Sequence, residues 1–122
     1  YRRQRQMCIR DRSVYTPVGG PTDPFEVDGM EEYPVPKMRD SAGKTIAAYL
    51  WPMHEGRRVP SDYVRMAEGL SHLVLATHTW HMVETRGGGV MDDVWISENA
   101  ERVRAVVEGI LDQGFEPCVI GQ

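Results

Sequence analysis

The chain has 122 residues, of which 41% are hydrophobic and 26% are charged, and its formal net charge at pH 7 is -4. This is the composition of one ordinary globular domain, and it excludes a collagen-like chain, a coiled coil and a chain that is disordered throughout. No apolar run approaches the roughly 18 residues that a membrane-spanning helix needs, and no apolar segment follows the basic N-terminus as in a signal peptide. No membrane partner is therefore predicted.

The first twelve residues, YRRQRQMCIRDR, contain five arginines and one aspartate. MCIRDR resembles one reading frame of the mosaic-end DNA used in transposase-based sequencing libraries, and YRRQ resembles another frame of the same DNA. The resemblance implies that residues 1–12 are a cloning or assembly scar, in which case we expect the natural start of the protein to be missing. A basic arm that binds nucleic acid or a membrane surface is the alternative.

Charge and cysteine usage both change when residues 1–12 are set aside. Removing five Arg and one Asp leaves nine basic against seventeen acidic residues, so the rest of the chain carries a charge of -8. We therefore do not expect nucleic acid as a partner, because its binding depends on cationic contacts to phosphate. The single remaining cysteine, Cys118, cannot form an internal disulfide, which favours a reducing, cytoplasmic setting. Its apolar surroundings in the sequence predict a buried, inert thiol.

Residues 13–44 are rich in proline and glycine and show no sustained apolar period, which predicts an extended or disordered leader. Residues 45–122 are predicted to form a single domain, because their apolar residues recur at strand and helix spacings. The predicted elements, in chain order, are a strand over 45–51, a helix from Pro60 that ends between Leu70 and Ala76, strands over 77–85 and 90–96, a helix from Ser97, and a strand over 115–120.

The order β-α-β-β-α-β is that of ferredoxin-like domains, in which two helices cover one face of a four-stranded antiparallel sheet. The last strand lies at an edge of such a sheet, and Pro117 supports that position because proline cannot donate to a strand ladder. We therefore predict an α+β, ferredoxin-like fold preceded by the leader. Ligand-sensing domains, RNA-recognition motifs and small enzymes share this order, so it does not identify a function.

Alternation along the predicted strands leaves large aromatic side chains on the sheet face that the helices do not cover. Three aromatic rings on one open face expose more apolar area than a monomer usually leaves in water, which predicts a binding surface. Its residues are Tyr49, Trp51, His81 and Trp95. The expected occupant is a protein partner, a small ligand or a second copy of the chain, and the leader is the alternative cover. RNA is not expected, because the basic and glycine residues of RNA-recognition motifs are missing.

A small enzyme is the alternative to a binding module. His54 and Glu55 adjoin in a predicted loop and could act as an acid/base pair. Other histidines and aspartates offer ligand types that zinc takes, namely His72, His78, His81, Asp92 and Asp93. On a strand, however, His78 and His81 point to opposite faces, so we predict no metal or cofactor. The binding module is favoured because no catalytic set converges in the sequence.

Overall fold

The computed structural model describes residues 11–78, 80, 83 and 89–118. Most of the adaptor-like segment and His81 of the predicted binding face lie outside this range. The described residues form a mixed α+β structure, which confirms the predicted class. Its elements are β1 Asp11–Tyr15, β2 Phe25–Val27, β3 Met30–Val35, β4 Lys37–Arg39, β5 Thr45–Ala47, α1 Trp51–His54, α2 Pro60–Ala67 and α3 Asp93–Leu111.

Two small sheets are formed by the five strands within the described ranges. The first has the order β1-β3-β2, with β1 parallel and β2 antiparallel to β3. The second is the antiparallel pair of β4 and β5. Strands thus occupy much of residues 13–44, the segment expected to be an extended or disordered leader.

The hairpin between β2 and β3 closes over Asp28 and Gly29, because Val27 pairs directly with Met30. Both turn residues have positive φ, +50° at Asp28 and +74° at Gly29. Two such residues in a two-residue loop match the right-handed twist of the strands that they join. This local chemistry stabilises paired strands in a segment whose proline content predicts irregular structure.

The contacts divide the described chain into two compact units. The N-terminal unit contains the described parts of 1–48, 69–74 and 117–122, and the helical unit contains those of 49–68 and 75–116. In the N-terminal unit, Val35, Ile46 and Ala48 are buried. In the helical unit, α2 packs against α3, and the buried apolar side chains are Leu50, Met53, Tyr63, Met66, Ala67, Val106 and Ile110.

The predicted four-stranded ferredoxin-like sheet is absent from the described residues. The strand predicted over 45–51 ends at Ala47, and Trp51 begins α1. Pro52 was expected only to stop a strand, but it occupies the first turn of α1, where its missing N–H would have no helical acceptor. The first sheet strand of the prediction is therefore shortened to three residues.

The predicted hairpin of strands over 77–85 and 90–96 is also corrected. Thr77, His78, Trp80 and Val83 are not in a strand, and the rest of 79–88 lies outside the described range. Residues 93–96 are helical, because the Asp92 side chain caps α3 five residues before Ser97, where the helix was expected to start. In the described part of the last predicted strand, residues 115–118 are irregular, and 119–120 lie outside the described range.

Two further features concern Cys118 and the membrane. Cys118 is exposed, which contradicts the predicted buried thiol. The sequence around it is apolar, but the described residues 115–118 form no strand that would bury the side chain against a sheet. Among the described residues, no helix has the length and apolarity that crossing a membrane requires.

Candidate functional site

The predicted aromatic face does not lie on a sheet. Tyr49 forms an isolated parallel bridge with Ala76, Trp51 starts α1, and Trp95 lies in the first turn of α3. All three of these aromatic side chains are half-buried. The open-face geometry from which they were selected is therefore wrong for the part of the chain that the structure describes.

A different apolar surface lies in the helical unit, just before and at the start of α3. Its members are exposed hydrophobic side chains, and they are Trp80, Val83, Val90 and Val94. Val90 and Val94 are 80% and 68% exposed, and Trp80 is 49% exposed. We call these four residues the apolar surface.

Backbone hydrogen bonds fix parts of the segment that carries the apolar surface. The amide of Val83 donates to the carbonyl of Trp80 at 3.2 Å, and the amide of Met91 donates to the carbonyl of Val83 at 2.7 Å. The second bond joins the two halves of the segment. The Trp80 ring also stacks on His78, with ring centroids 4.1 Å apart and planes 8° apart.

The start of α3 is defined by Asp92. Its side-chain Oδ1 accepts a 2.8 Å hydrogen bond from the amide of Trp95, which satisfies a donor that the first helical turn leaves free. Asp93 follows in the first turn, where negative charge interacts favourably with the helix dipole. Both aspartates are exposed, so the apolar surface has an acidic border at Val90 and Val94.

Beneath the first turns of α3 lies a buried polar cluster centred on His54. The imidazole is 1% exposed, and among the described residues neither ring nitrogen has a hydrogen bond of proper geometry. Asn99, which is fully buried, makes a polar contact with the ring. Burial lowers the pKa of His54; the contact with Asn99 opposes this, and the charge of Arg102 adds to it. The imidazole is therefore neutral at pH 7.

Asn99 connects the buried histidine to the residues around the apolar surface. Its Oδ1 accepts a 2.9 Å hydrogen bond from Nη1 of Arg102, and its Nδ2 lies 3.3 Å from Sδ of Met91. The Arg102 guanidinium also lies over the Trp95 ring at 4.9 Å and pairs with Glu98 at 3.3 Å. We call His54, Met91, Trp95, Asn99 and Arg102 the polar cluster.

The candidate catalytic groups are not brought together. Glu55 is bound by the Arg57 guanidinium and makes no hydrogen bond to the buried His54 ring. His72 pairs with Asp23 at 2.9 Å in the N-terminal unit, whereas His78 stacks on Trp80 in the helical unit. Within the described ranges, no three histidine, cysteine or acidic side chains are placed to hold a metal ion.

Sequence reasoning missed Asn99 and Arg102. A signal for Asn99 was present, because it shares the helical stripe of the buried residues Val106 and Ile110. A polar residue on such a stripe requires a buried partner, and His54 supplies one.

No family model matches the chain, and no curated protein or solved structure is significantly similar to it.

Proposed function

We propose that the protein is a small binding module that recognises a basic, amphipathic segment of a partner protein. The observation that carries this proposal is the exposure of Trp80, Val83, Val90 and Val94 within one short segment of the helical unit. Single exposed apolar residues are ordinary, but a cluster of them marks an interaction surface more often. Tryptophan is also enriched among the residues that dominate binding energy at protein interfaces.

The charge of the module argues for a basic partner. The helical unit contains six arginines and eleven acidic residues, and residues 13–122 carry a charge of -8. At the apolar surface itself, Asp92 and Asp93 supply the acidic border. Opposite charge at the rim of an interface speeds association and disfavours partners of the same sign. We therefore favour a basic segment over a second copy of this acidic chain.

The enzyme alternative has less support. An acid/base pair needs its two groups within hydrogen-bond reach, and His54 and Glu55 do not make that contact. His54 is also buried, so a substrate would need the polar cluster to open before it could reach the ring. Self-association is a further outcome, which light scattering distinguishes below.

The proposal is tested with a synthetic peptide of about fifteen residues that places lysine on one helical face and leucine on the other. Fluorescence anisotropy measures its binding to the protein. Two control peptides have the same lysines and leucines in scrambled order, or glutamate in place of lysine. Binding of the amphipathic lysine peptide alone is the expected result, and it should weaken as salt is added. Equal binding of all three peptides, or of none, contradicts the proposal.

The surface is tested by replacing its two most exposed valines. The double variant Val90→Ser, Val94→Ser should weaken peptide binding at least tenfold. Val107→Ser is the matched control, because Val107 is also exposed on α3 but does not belong to the apolar surface. Light scattering on the eluting protein identifies self-association: a dimer that the double variant alone dissociates would assign the surface to a second copy instead.

A further inference from the structure

We propose that His54 is an acid-sensitive latch, which holds the start of α3 in place while its ring is neutral and releases the apolar surface when the ring is protonated. The inference rests on the proposed function, since it describes how binding at that same surface is regulated. The regulating residue, His54, does not itself belong to the apolar surface. The physical basis is the burial of one titratable ring of α1 that contacts Asn99 of α3.

The surroundings of His54 suit a neutral ring and disfavour a charged one. From α3, the ring is faced by the neutral amide of Asn99 and by the cationic Arg102. From α2, the buried Tyr63 contacts Met53, the residue before His54, and it is neutral because burial raises its pKa to about 12. Glu55, which follows His54 in the chain, forms an ion pair with Arg57. No carboxylate among the described residues accepts a hydrogen bond from the imidazole.

Protonation would place a positive charge on a ring that is 1% exposed and is faced by the cationic Arg102. An imidazolium has two N–H donors, and each needs an acceptor when it is buried. Oδ1 of Asn99, on the residue that contacts the ring, already receives the 2.9 Å bond from Arg102. A charged ring that also bonds to this oxygen lies beside the Arg102 guanidinium, and the repulsion between the two cations displaces Arg102 or moves the ring out towards water. Either movement opens the polar cluster.

The polar cluster is directly connected to the apolar surface. Asn99 contacts Sδ of Met91, which adjoins Val90 in the chain, and Arg102 lies over Trp95, which adjoins Val94. Opening the cluster removes both supports from the segment that carries these two valines. A surface that is ordered only while its supports are intact then binds more weakly.

The test measures binding of the amphipathic lysine peptide at pH 7.5 and pH 5.5. Histidine protonation brings the net charge of the chain close to zero at pH 5.5, which weakens the attraction to lysine in every variant, so the test compares the wild type with His54→Gln. We expect the affinity of the wild-type protein to fall at least tenfold more than that of His54→Gln, which cannot take up a proton at this position. His72→Gln is the control, because His72 pairs with Asp23 in the N-terminal unit, and it should keep the wild-type pH dependence.

A second readout does not require the peptide. The unfolded histidine titrates near pH 6.5, and the pKa of the folded ring is lower, so the unfolded state binds more protons below pH 6.5. Stability is therefore complete above that pH and falls on acidification, with the unfolding constant rising by up to tenfold per pH unit until the folded ring titrates. The protection factors of the amides in residues 93–99, which correct for the slower intrinsic exchange at acid pH, should fall in the same interval.

Failure of the latch and failure of the proposed function are distinguishable. If the wild-type protein and His54→Gln lose the same affinity between the two pH values, the latch is wrong and the binding module stands. If no peptide binds, hydrogen exchange decides: a loss of protection at acid pH that His54→Gln abolishes supports the latch, and unchanged protection overturns it. Should His54→Gln fail to fold, Asn99→Asp replaces it, because the new carboxylate would stabilise a protonated ring and remove the acid sensitivity.

Discussion

The hydroxyl of Tyr63 donates a 2.9 Å hydrogen bond to the main-chain carbonyl oxygen of Tyr49. Tyr63 is fully buried in α2, and Tyr49 immediately precedes the chain that enters α1. The bond therefore joins two parts of the helical unit that are fourteen residues apart in sequence. It also leaves the buried phenol with a satisfied donor, which the apolar pattern of α2 does not reveal.

Tyr63→Phe is expected to lower the free energy of unfolding by about 1 kcal/mol at neutral pH, the usual net contribution of a hydrogen bond. The ring remains, so no large cavity forms. Tyr63→Ala removes the ring as well and should cost about 3–5 kcal/mol. Urea unfolding of the three proteins measures both values. Equal stability of Tyr63→Phe and the wild type would show that the bond makes no net contribution.

The raised pKa of Tyr63 is expected to make the protein less stable at alkaline pH. Burial raises the pKa of Tyr63 to about 12 from its ordinary value of 10.0. The unfolded tyrosine therefore loses its proton first as the pH rises, and stability that is complete below pH 10 falls as the pH approaches 12. A shift of this size corresponds to roughly 2–3 kcal/mol. Urea unfolding at pH 8 and pH 11 measures the loss. Tyr63→Phe should lose less stability between these pH values than the wild type, and an identical loss would contradict the assignment.

Gly109 permits the close packing of α3 on α2. An ideal Cβ at this position would lie 2.5 Å from Cγ2 and 3.2 Å from Cγ1 of Val64, a stiff β-branched side chain. Gly109→Ala gains about 1 kcal/mol of helix propensity, but the clash should outweigh it and give a net loss on the order of 1 kcal/mol. Thermal unfolding measures this loss.

The double variant Val64→Ala, Gly109→Ala is the control for the clash. With the valine methyl groups removed, the added methyl has room, and Gly109→Ala should then be neutral or stabilising relative to Val64→Ala alone. Additive effects of the two substitutions would show that the clash is not the cause.

Local signals in the sequence predicted some elements correctly. Pro60, Ser61 and Asp62 predicted the start of α2, and Asp62 accepts a hydrogen bond from the amide of Val59 at 3.0 Å. The apolar spacing after Ser97 predicted a helix over most of α3. Such elements are fixed by neighbours within one or two turns, and the sequence contains that information.

The errors arose where two local signals compete. Alternation in residues 90–96 favours a strand, but Asp92 caps a helix that begins inside this segment. Asp28 and Gly29 are a strong hairpin signal, yet the surrounding prolines suggested an irregular leader. The polar cluster was out of reach for another reason: its members are up to 48 positions apart in the sequence, and only the packing of α3 brings Asn99 to His54.

The cap at Asp92 is expected to stabilise α3. Asp92→Ala removes the acceptor for the Trp95 amide and should cost about 1 kcal/mol, whereas Asp92→Asn retains an oxygen acceptor and should cost less. Asp93→Ala is the matched control, since Asp93 is an exposed acidic neighbour that does not cap the helix. Urea unfolding monitored by circular dichroism compares the variants. An equal loss for Asp92→Ala and Asp93→Ala would indicate a helix-dipole effect without capping.

Gly29 should be the most sensitive position of the β2–β3 hairpin. Its φ of +74° lies in the left-handed region, and an added Cβ would meet no atom within 4 Å, so the cost of a substitution comes from the backbone alone. Gly29→Ala is expected to destabilise the N-terminal unit by about 1–2 kcal/mol. Gly29→Asn should recover part of this loss, because asparagine tolerates positive φ better than alanine. Hydrogen exchange of the β3 amides measures the effect in this unit. Protection that stays the same in Gly29→Ala would show that the hairpin adopts another turn, in which residue 29 no longer needs a left-handed backbone.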